Sequence, residues 1–431
     1  MIPTSLDQLL ARSSTLLLQG PMGPFFWRLR NTLVDHGQQV HKVNFNAGDD
    51  HFYDGPGVTH FRDPASAWGD CLDELLQRHA VDAVVLFGQN RWMHETAIQR
   101  ARARQVDVFV FEEGYVRPDY VTLELGGVNA ESRIPRDPQF YRDWVPQVIP
   151  APRPTRQQFS VVADISMTYA WAERHGRKAY PHYKHHRDLG PVSEGLRWVR
   201  GGYRKWKNHF AEAAMLPYLS APDQHKRYFL VPLQVYNDSQ IRCYSPYDHV
   251  AGFIEHVMDS FAAHAPQDKL LVLKHHPLDR PYNDYRQLIE RLADQHGIAG
   301  RVHYLHDQHL PTLLQHAAGV VTVNSTTGLQ SLYHRTPVIT LGDSVYDVPG
   351  LVHTGELADF WQDPGTVDVD LFHRYRAYLV WETQLNASFY GETPGLPSYT
   401  ETSRRWAASK GKPSAPAQAA TWPSSTLPTL K

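Results

Sequence analysis

Two adjacent acids close the apolar run Phe109-Val110-Phe111, and a glycine follows at once, in the segment Glu112-Glu113-Gly114-Tyr115-Val116-Arg117-Pro118. A carboxylate at the end of a buried strand is presented to whatever cleft opens beyond the sheet. A glycosidic carbon passing through an oxocarbenium-like state needs such a group, as nucleophile in a retaining reaction or as base in an inverting one. Side chains alternate along a strand, so only one of Glu112 and Glu113 faces the cleft readily. The structural alternative is an ion pair with Arg117 or a cap on the following turn. A second segment, Lys274-His275-His276-Pro277, follows the apolar run Leu270-Leu271-Val272-Leu273. A cation and an imidazole donor at a strand end suit a nucleotide phosphate, and Pro277 stiffens the turn. The alternative is a solvated basic loop.

A third segment, Thr322-Val323-Asn324-Ser325-Thr326-Thr327-Gly328-Leu329-Gln330, runs from a strand into hydroxyl residues that begin a helix. Exposed amides and the positive end of the helix dipole attract phosphate there, although the same residues serve any helix as an N-cap. The loop Gln19-Gly20-Pro21-Met22-Gly23-Pro24 matches neither the Walker pattern nor the dinucleotide fingerprint and is expected on the acceptor side of a cleft. Asp368-Val369-Asp370 has the acid spacing of a metal site but no supporting pattern, so it reads as a solvated pair and no metal is expected. The stretch from Arg197 to Phe210 combines five basic residues, Arg197, Arg200, Arg204, Lys205 and Lys207, with Trp198, Tyr203 and Trp206. On a helix Val199, Tyr203, Trp206 and Phe210 share one face, as in a helix lying on an anionic membrane surface. Packing of that face into the protein is the alternative, and Gly201 and Gly202 weaken the helix.

The elements that position these segments alternate. Leu16-Leu17-Leu18, Val40 to Phe45, Ala83 to Phe87 and Val106 to Phe111 read as strands, separated by helical patterns at Phe25 to His36, Pro64 to Arg78 and His94 to Arg104. From about 146 to 217 the pattern turns helical, polar and aromatic. Alternation then resumes with strands at Arg227 to Leu233, Lys269 to Lys274, Arg301 to Leu305, Gly319 to Val323 and Pro337 to Leu341. Such alternation predicts two α/β units with doubly wound parallel sheets, a GT-B-like pair facing one cleft. The expected division is an N-terminal Rossmann-like domain over 1–145, a helical insertion or interdomain segment over 146–217, a Rossmann-like nucleotide-binding domain over 218–365, a C-terminal helical segment over 366–410 and a disordered tail over 411–431.

The chain has 431 residues, 43 Lys and Arg against 45 Asp and Glu, and a net charge of -2, which argues against a nucleic-acid partner. Two cysteines, Cys71 and Cys243, are too few for a disulfide framework and point to a reducing compartment. No run reaches the roughly 18 apolar residues of a membrane span, and the N-terminus lacks the pattern of a secretory signal. A cytoplasmic protein is expected.

Several of these segments, in order, resemble the capsule-polysaccharide biosynthesis family of bacterial β-Kdo glycosyltransferases, in its KpsS/LipB branch. The resemblance runs from Leu16 to about residue 400. It rests on Leu18 to Phe26, Lys42 to Asp49, Phe111 to Pro118, Gln234-Val235-Tyr236-Asn237-Asp238-Ser239-Gln240-Ile241, Lys274 to Pro277 and Asn324 to Gln330. It implies transfer of 3-deoxy-D-manno-oct-2-ulosonic acid (Kdo) from CMP-β-Kdo to phosphatidylglycerol with retention, starting the poly-Kdo linker of a capsular polysaccharide, with no cofactor or metal. The family's catalytic Asp falls on Glu113, one methylene longer. Glu113 is then the expected nucleophile, Glu112 or Asp238 the acid/base group, and Lys274, His276, Pro277 and the residues from Asn324 to Gly328 the CMP site. Gln19, Gly20, Gly23, Asn44, Asn46 and Arg117 are expected on the acceptor side. Implied partners are a lipid acceptor, the anionic inner face of the cytoplasmic membrane, the linker-extending Kdo transferase and the export machinery. Rival readings are another GT-B activity, sialyltransferase-like or epimerase-like, and a carbohydrate-binding export scaffold without catalysis.

Overall fold

The computed structural model of the chain describes residues 3–184 and 191–396; the expected tail over 411–431 lies outside them. Runs buried on both faces form central strands, as at β4 (Ala83–Phe87), which is wholly apolar, and β1 (Ser14–Leu17), where the buried Ser14 and Thr15 precede two leucines. With β2 (Gln39–Asn44), β3 (Val58–His60) and β5 (Asp107–Glu113) they make a parallel array in the order β3-β2-β1-β4-β5. The helix Phe25–Asp35 buries Phe25, Phe26, Leu29 and Leu33 against one face. The helices Trp68–Arg78 and Trp92–Ala103 cover the other with Leu72, Leu76, Ala97 and Ala101. β6 (Val121–Leu125) turns back antiparallel on β5.

The second sheet is entirely parallel and repeats the plan. Its strands β7 (Tyr228–Pro232), β8 (Leu270–Lys274), β9 (Val302–Leu305), β10 (Gly319–Thr322) and β11 (Val338–Thr340) stand in the order β9-β8-β7-β10-β11. Each sheet therefore reverses its winding beside its first strand, between β1 and β4 and between β7 and β10. A ligand crevice opens beyond the strand ends at such a point. After β11 the helix Val369–Thr383 leads the chain back to the first sheet, where β12 (Gln384–Leu385) pairs antiparallel with β6. The first domain is thus completed by residues from the segment expected to be a separate C-terminal helix. The arrangement is GT-B-like, as the alternation predicts.

Between the domains lie the helices Phe159–Gly176 and Pro191–Ala211. The first is fixed to the N-terminal sheet through Tyr169, whose hydroxyl donates to Asp49 Oδ1 at 2.8 Å and accepts from Asn46 Nδ2 at 2.8 Å. The second is fixed to the C-terminal domain. Arg200 Nε donates to the Pro281 carbonyl at 2.9 Å, and Arg204 Nη1 donates to the carbonyls of Arg280 and Asn283 at 2.8 and 2.9 Å. Arg197 lies over the Tyr282 ring at 5.5 Å. This corrects the expected roles of Arg197, Arg200 and Arg204 at a membrane: backbone carbonyls and a ring of the 280–284 loop occupy them. Lys205, Lys207, Trp198 and Trp206 are exposed. The alternative in which the aromatic face packs inward is also excluded, since Val199, Tyr203, Trp206 and Phe210 face solvent.

Candidate functional site

β5 outruns its neighbour. Its pairing with β4 ends at Phe87 opposite Phe111, so Glu112 and Glu113 extend beyond the end of β4, one strand out from the first winding reversal, and pair only with Thr122 and Val121 of β6. Gly88 turns away just there with φ 70°, donating its N–H to the Phe111 carbonyl at 2.9 Å. The positive φ is what favours glycine there, since a Cβ on Gly88 would only make ordinary contact, 3.9 Å from Glu112 Oε2. Gly114 is required by close approach instead, because its Cβ would lie 2.2 Å from the Tyr120 carbonyl oxygen.

The two acids occupy different environments. Glu112 is partly buried and accepts the Glu113 N–H at 3.0 Å. Burial pushes its carboxyl up to about 7; the charges of Glu113 and Asp238 act in the same direction, while that N–H and Arg91 oppose them. Glu113 has a side chain 50% exposed, with Arg117 Nη2 3.9 Å from its Oε2. Arg117 in turn acts across the cleft on His276, which burial first, then Lys274 and Arg117, hold down to about 4. His276 Nδ1 accepts the Leu278 N–H at 3.2 Å. The imidazole is therefore neutral near pH 7 and carries its proton on Nε2, a donor suited to a phosphate oxygen. The structure brings Glu112, Glu113, Arg117, Asp238 and His276 into one electrostatic neighbourhood.

Other expected site residues have different surroundings. Lys274 is buried, and its Nζ donates to the His306 carbonyl at 3.1 Å. The expected direct phosphate contact is thus replaced by an internal one, because β8 carries this side chain into the domain. Asp238 caps the helix Ser239–Tyr244, accepting from Gln240 N–H at 2.9 Å on Oδ1 and from Gln234 Nε2 at 2.9 Å on Oδ2. That is the turn-cap role, so its influence on Glu112 is electrostatic. Asn324 is tied to the same group, accepting from Gln234 Nε2 at 3.1 Å and donating to the Gln240 carbonyl at 2.9 Å. Ser325, Thr326 and Thr327 remain partly exposed, with Ser325 Oγ accepting the Thr327 N–H at 3.2 Å. Gly328 is buried for a packing reason: a Cβ there would meet the Tyr346 hydroxyl at 2.1 Å. Pro277 is exposed.

On the expected acceptor side, Gln19, Asn44 and Asn46 are buried and engaged within the protein. Gln19 Nε2 donates to Asp49 Oδ2 at 3.1 Å, and its Oε1 accepts from Arg91 Nη1 at 2.8 Å. Asn44 Nδ2 donates to the Tyr53 carbonyl at 2.7 Å. Gln19 thus positions Arg91, Gln19 and Asn46 hold Tyr169 of the first insertion helix, and Asn44 ties the loop after β2 together, which corrects the expectation that these amides face an acceptor. Gly20 lies against the Phe26 ring, and Gly23 takes φ 104° beside Ile165. Two residues that sequence reasoning missed complete the site. Arg91 is the cation beside Glu112. Tyr244 of the second domain accepts from Gln89 Nε2 at 2.6 Å and donates to Glu131 Oε1 at 2.8 Å, joining the two domains. Asp368 caps the helix Val369–Thr383. Among the described residues no group of three His, Cys, Asp or Glu side chains stands ready to hold a metal ion, and no helix is long and apolar enough to cross a membrane.

Two doubly wound parallel sheets and the chain's return to the first of them define a GT-B-like α/β protein. The chain belongs to the capsule polysaccharide biosynthesis protein family, which matches residues 82–390. It is 40% identical over 401 residues to the capsule polysaccharide modification protein LipB of Neisseria meningitidis, covering 91% of this chain and 95% of the relative. It is also 40% identical over 390 residues to the capsule polysaccharide export protein KpsS of Escherichia coli, covering 90% and 99%. A solved structure of Thermosulfurimonas dismutans KpsC, a β-Kdo 2,7 transferase, aligns over 93% of this chain and 100% of that one, with 15% identity and a TM-score of 0.41.

Proposed function

We propose that the protein is a retaining glycosyltransferase that moves Kdo from CMP-β-Kdo to phosphatidylglycerol at the inner face of the cytoplasmic membrane, starting the poly-Kdo linker of a capsular polysaccharide. The overhang of Glu112 and Glu113 past the end of β4 carries this reading, because it sets two carboxyls of different character beyond the carboxyl ends of the parallel strands. The Glu113 carboxylate attacks the anomeric carbon, the bond to the CMP phosphate oxygen breaks, and CMP leaves with the electron pair. Glu112 then takes the proton of the lipid hydroxyl, whose oxygen attacks the same carbon and releases Glu113. Two inversions give retention. The linker-extending Kdo transferase and the export machinery are the expected downstream partners. Incubating the pure protein with CMP-Kdo and phosphatidylglycerol should yield the lipid with one Kdo added by mass; a lipid left unchanged under conditions where CMP binds would reject the assignment.

The leaving group carries one phosphate, and Arg117, the His276 Nε2–H and the hydroxyls of Ser325, Thr326 and Thr327 are the donors for it. Turnover is accordingly expected to survive EDTA, and a loss that magnesium or manganese restores would contradict this. Replacing His276 with Ala removes a polar donor worth about 1 to 3 kcal/mol, so CMP affinity should fall by roughly one order of magnitude or more in titration calorimetry. An unchanged isotherm would remove His276 from the nucleotide site.

A further inference from the structure

Both insertion helices turn their apolar stripes away from the protein. Val199, Tyr203, Trp206 and Phe210 are 62% to 72% exposed, and Phe159 and Trp171 of the other helix are 73% and 68% exposed. The stripes are neighbours, with the Phe159 and Trp198 rings 6.4 Å apart. The opposite faces are held, by Tyr169 on Asp49 and Asn46 and by Arg200 and Arg204 on the 280–284 loop. The exposure is therefore a feature of anchored helices. An outward aromatic surface of this extent marks a partner or a membrane. Exposed cations stand on the same two segments, Lys207 beside the stripe and Lys205 further round on one helix, and Arg174 and Lys178 near the end of the other. Two-fold pairing of two copies through this face would set those like charges against each other, which costs affinity. An anionic bilayer neutralises them, while Trp and Tyr rings suit the headgroup level.

We propose that this two-helix face is the surface by which the protein docks on an anionic bilayer, its aromatic stripe seated among the headgroups and Lys205 and Lys207 on lipid phosphates. Arg197, Arg200 and Arg204 take no part in lipid contact. They hold the 280–284 loop, which continues from His276-Pro277, so one helix meets the membrane on its outer side and supports the donor loop on its inner side. The inference builds on the lipid-acceptor reading above, but its test uses no sugar nucleotide.

The test is flotation of the full chain with vesicles of phosphatidylglycerol and phosphatidylethanolamine in equal parts, and with phosphatidylcholine alone. Wild type should float with the anionic vesicles and much less with the neutral ones. The double variant Trp206→Glu/Phe210→Glu and the double variant Lys205→Gln/Lys207→Gln should each lose at least about tenfold in partitioning. Circular dichroism and CMP binding serve as checks that they fold. Arg204→Gln should float as wild type does, within about twofold, and melt at a lower temperature, because only the loop clamp is lost. Unchanged flotation in both double variants overturns the proposal. So does a wild-type dimer that Trp206→Glu/Phe210→Glu dissociates without changing flotation, which would assign the face to a second copy. Loss of flotation in Arg204→Gln would return the arginines to the lipid. Because flotation is read without CMP-Kdo, failure of the transferase reading leaves this result standing, and failure here leaves that reading to its own product assay.

Discussion

Glu113→Gln is expected to lose on the order of 10⁴-fold in Kdo transfer while keeping CMP affinity within about twofold. The amide has nearly the shape of the acid but no charge with which to attack the anomeric carbon. Its neighbours favour this role: the side chain is half exposed at the strand overhang, and its contact with Arg117 is a long 3.9 Å, so the carboxylate is free to approach a sugar. CMP affinity should persist because, of the proposed phosphate donors, His276, Ser325, Thr326 and Thr327 belong to the other domain and only Arg117 stands beside residue 113, at a long 3.9 Å. Without a lipid acceptor, intact-protein mass spectrometry of the wild type with CMP-Kdo should show one added Kdo on the peptide carrying Glu113, and Glu113→Gln should show none. Near wild-type turnover in the variant, or an adduct on another carboxylate, would move the nucleophile elsewhere.

Part of this candidate site was legible in the chain because ligands in doubly wound sheets meet short segments just after the strands. The apolar runs Ala83 to Phe87 and Leu270 to Leu273 had to be central strands, so the residues following them had to reach the crevice. What local pattern could not supply was direction. Lys274 stands one residue beyond an apolar run and reads as a phosphate ligand, yet the His306 carbonyl, 32 residues away, takes its ammonium. Gln19 and Asn46 look like cleft residues until Tyr169, more than a hundred positions later, occupies their network. Arg91 starts a helix without any conspicuous neighbour and becomes significant only when β4 and β5 lie side by side. Short strands were equally hidden: β3 has three residues and β12 two, too few for a period to show. The amphipathic stripe around Trp206 was legible as a face, but which side of the helix met protein depended on carbonyls in the 280–284 loop.

Glu112→Gln should remove the pH dependence of transfer along with most of the rate. Glu112 has a carboxyl raised from its ordinary 4.5 to about 7, chiefly by burial. In its proposed role as the base for the lipid hydroxyl proton it would work only when ionised, so wild-type turnover should climb as pH passes about 7 and level off above it. Glu112→Gln should lose about 10²- to 10⁴-fold and show no such limb. Stability should run the other way. Below pH 4.5 Glu112 is protonated whether the chain is folded or not, and its contribution to the fold is complete. As pH rises through about 7 the unfolded chain has already ionised while the folded protein must ionise a desolvated group, and that contribution is lost. Glu112→Gln should therefore melt higher than wild type above pH 7, with the gap closing as pH falls. Glu124, buried against Tyr115 and Ser132 and also raised to about 7, titrates with the same sign and stays in the variant, so some pH dependence of melting should remain. A limb near pH 7 that persists in Glu112→Gln turnover would assign the proton transfer to another group, whereas its loss together with a gain in melting temperature identifies a carboxyl whose burial destabilises the fold and supplies the base.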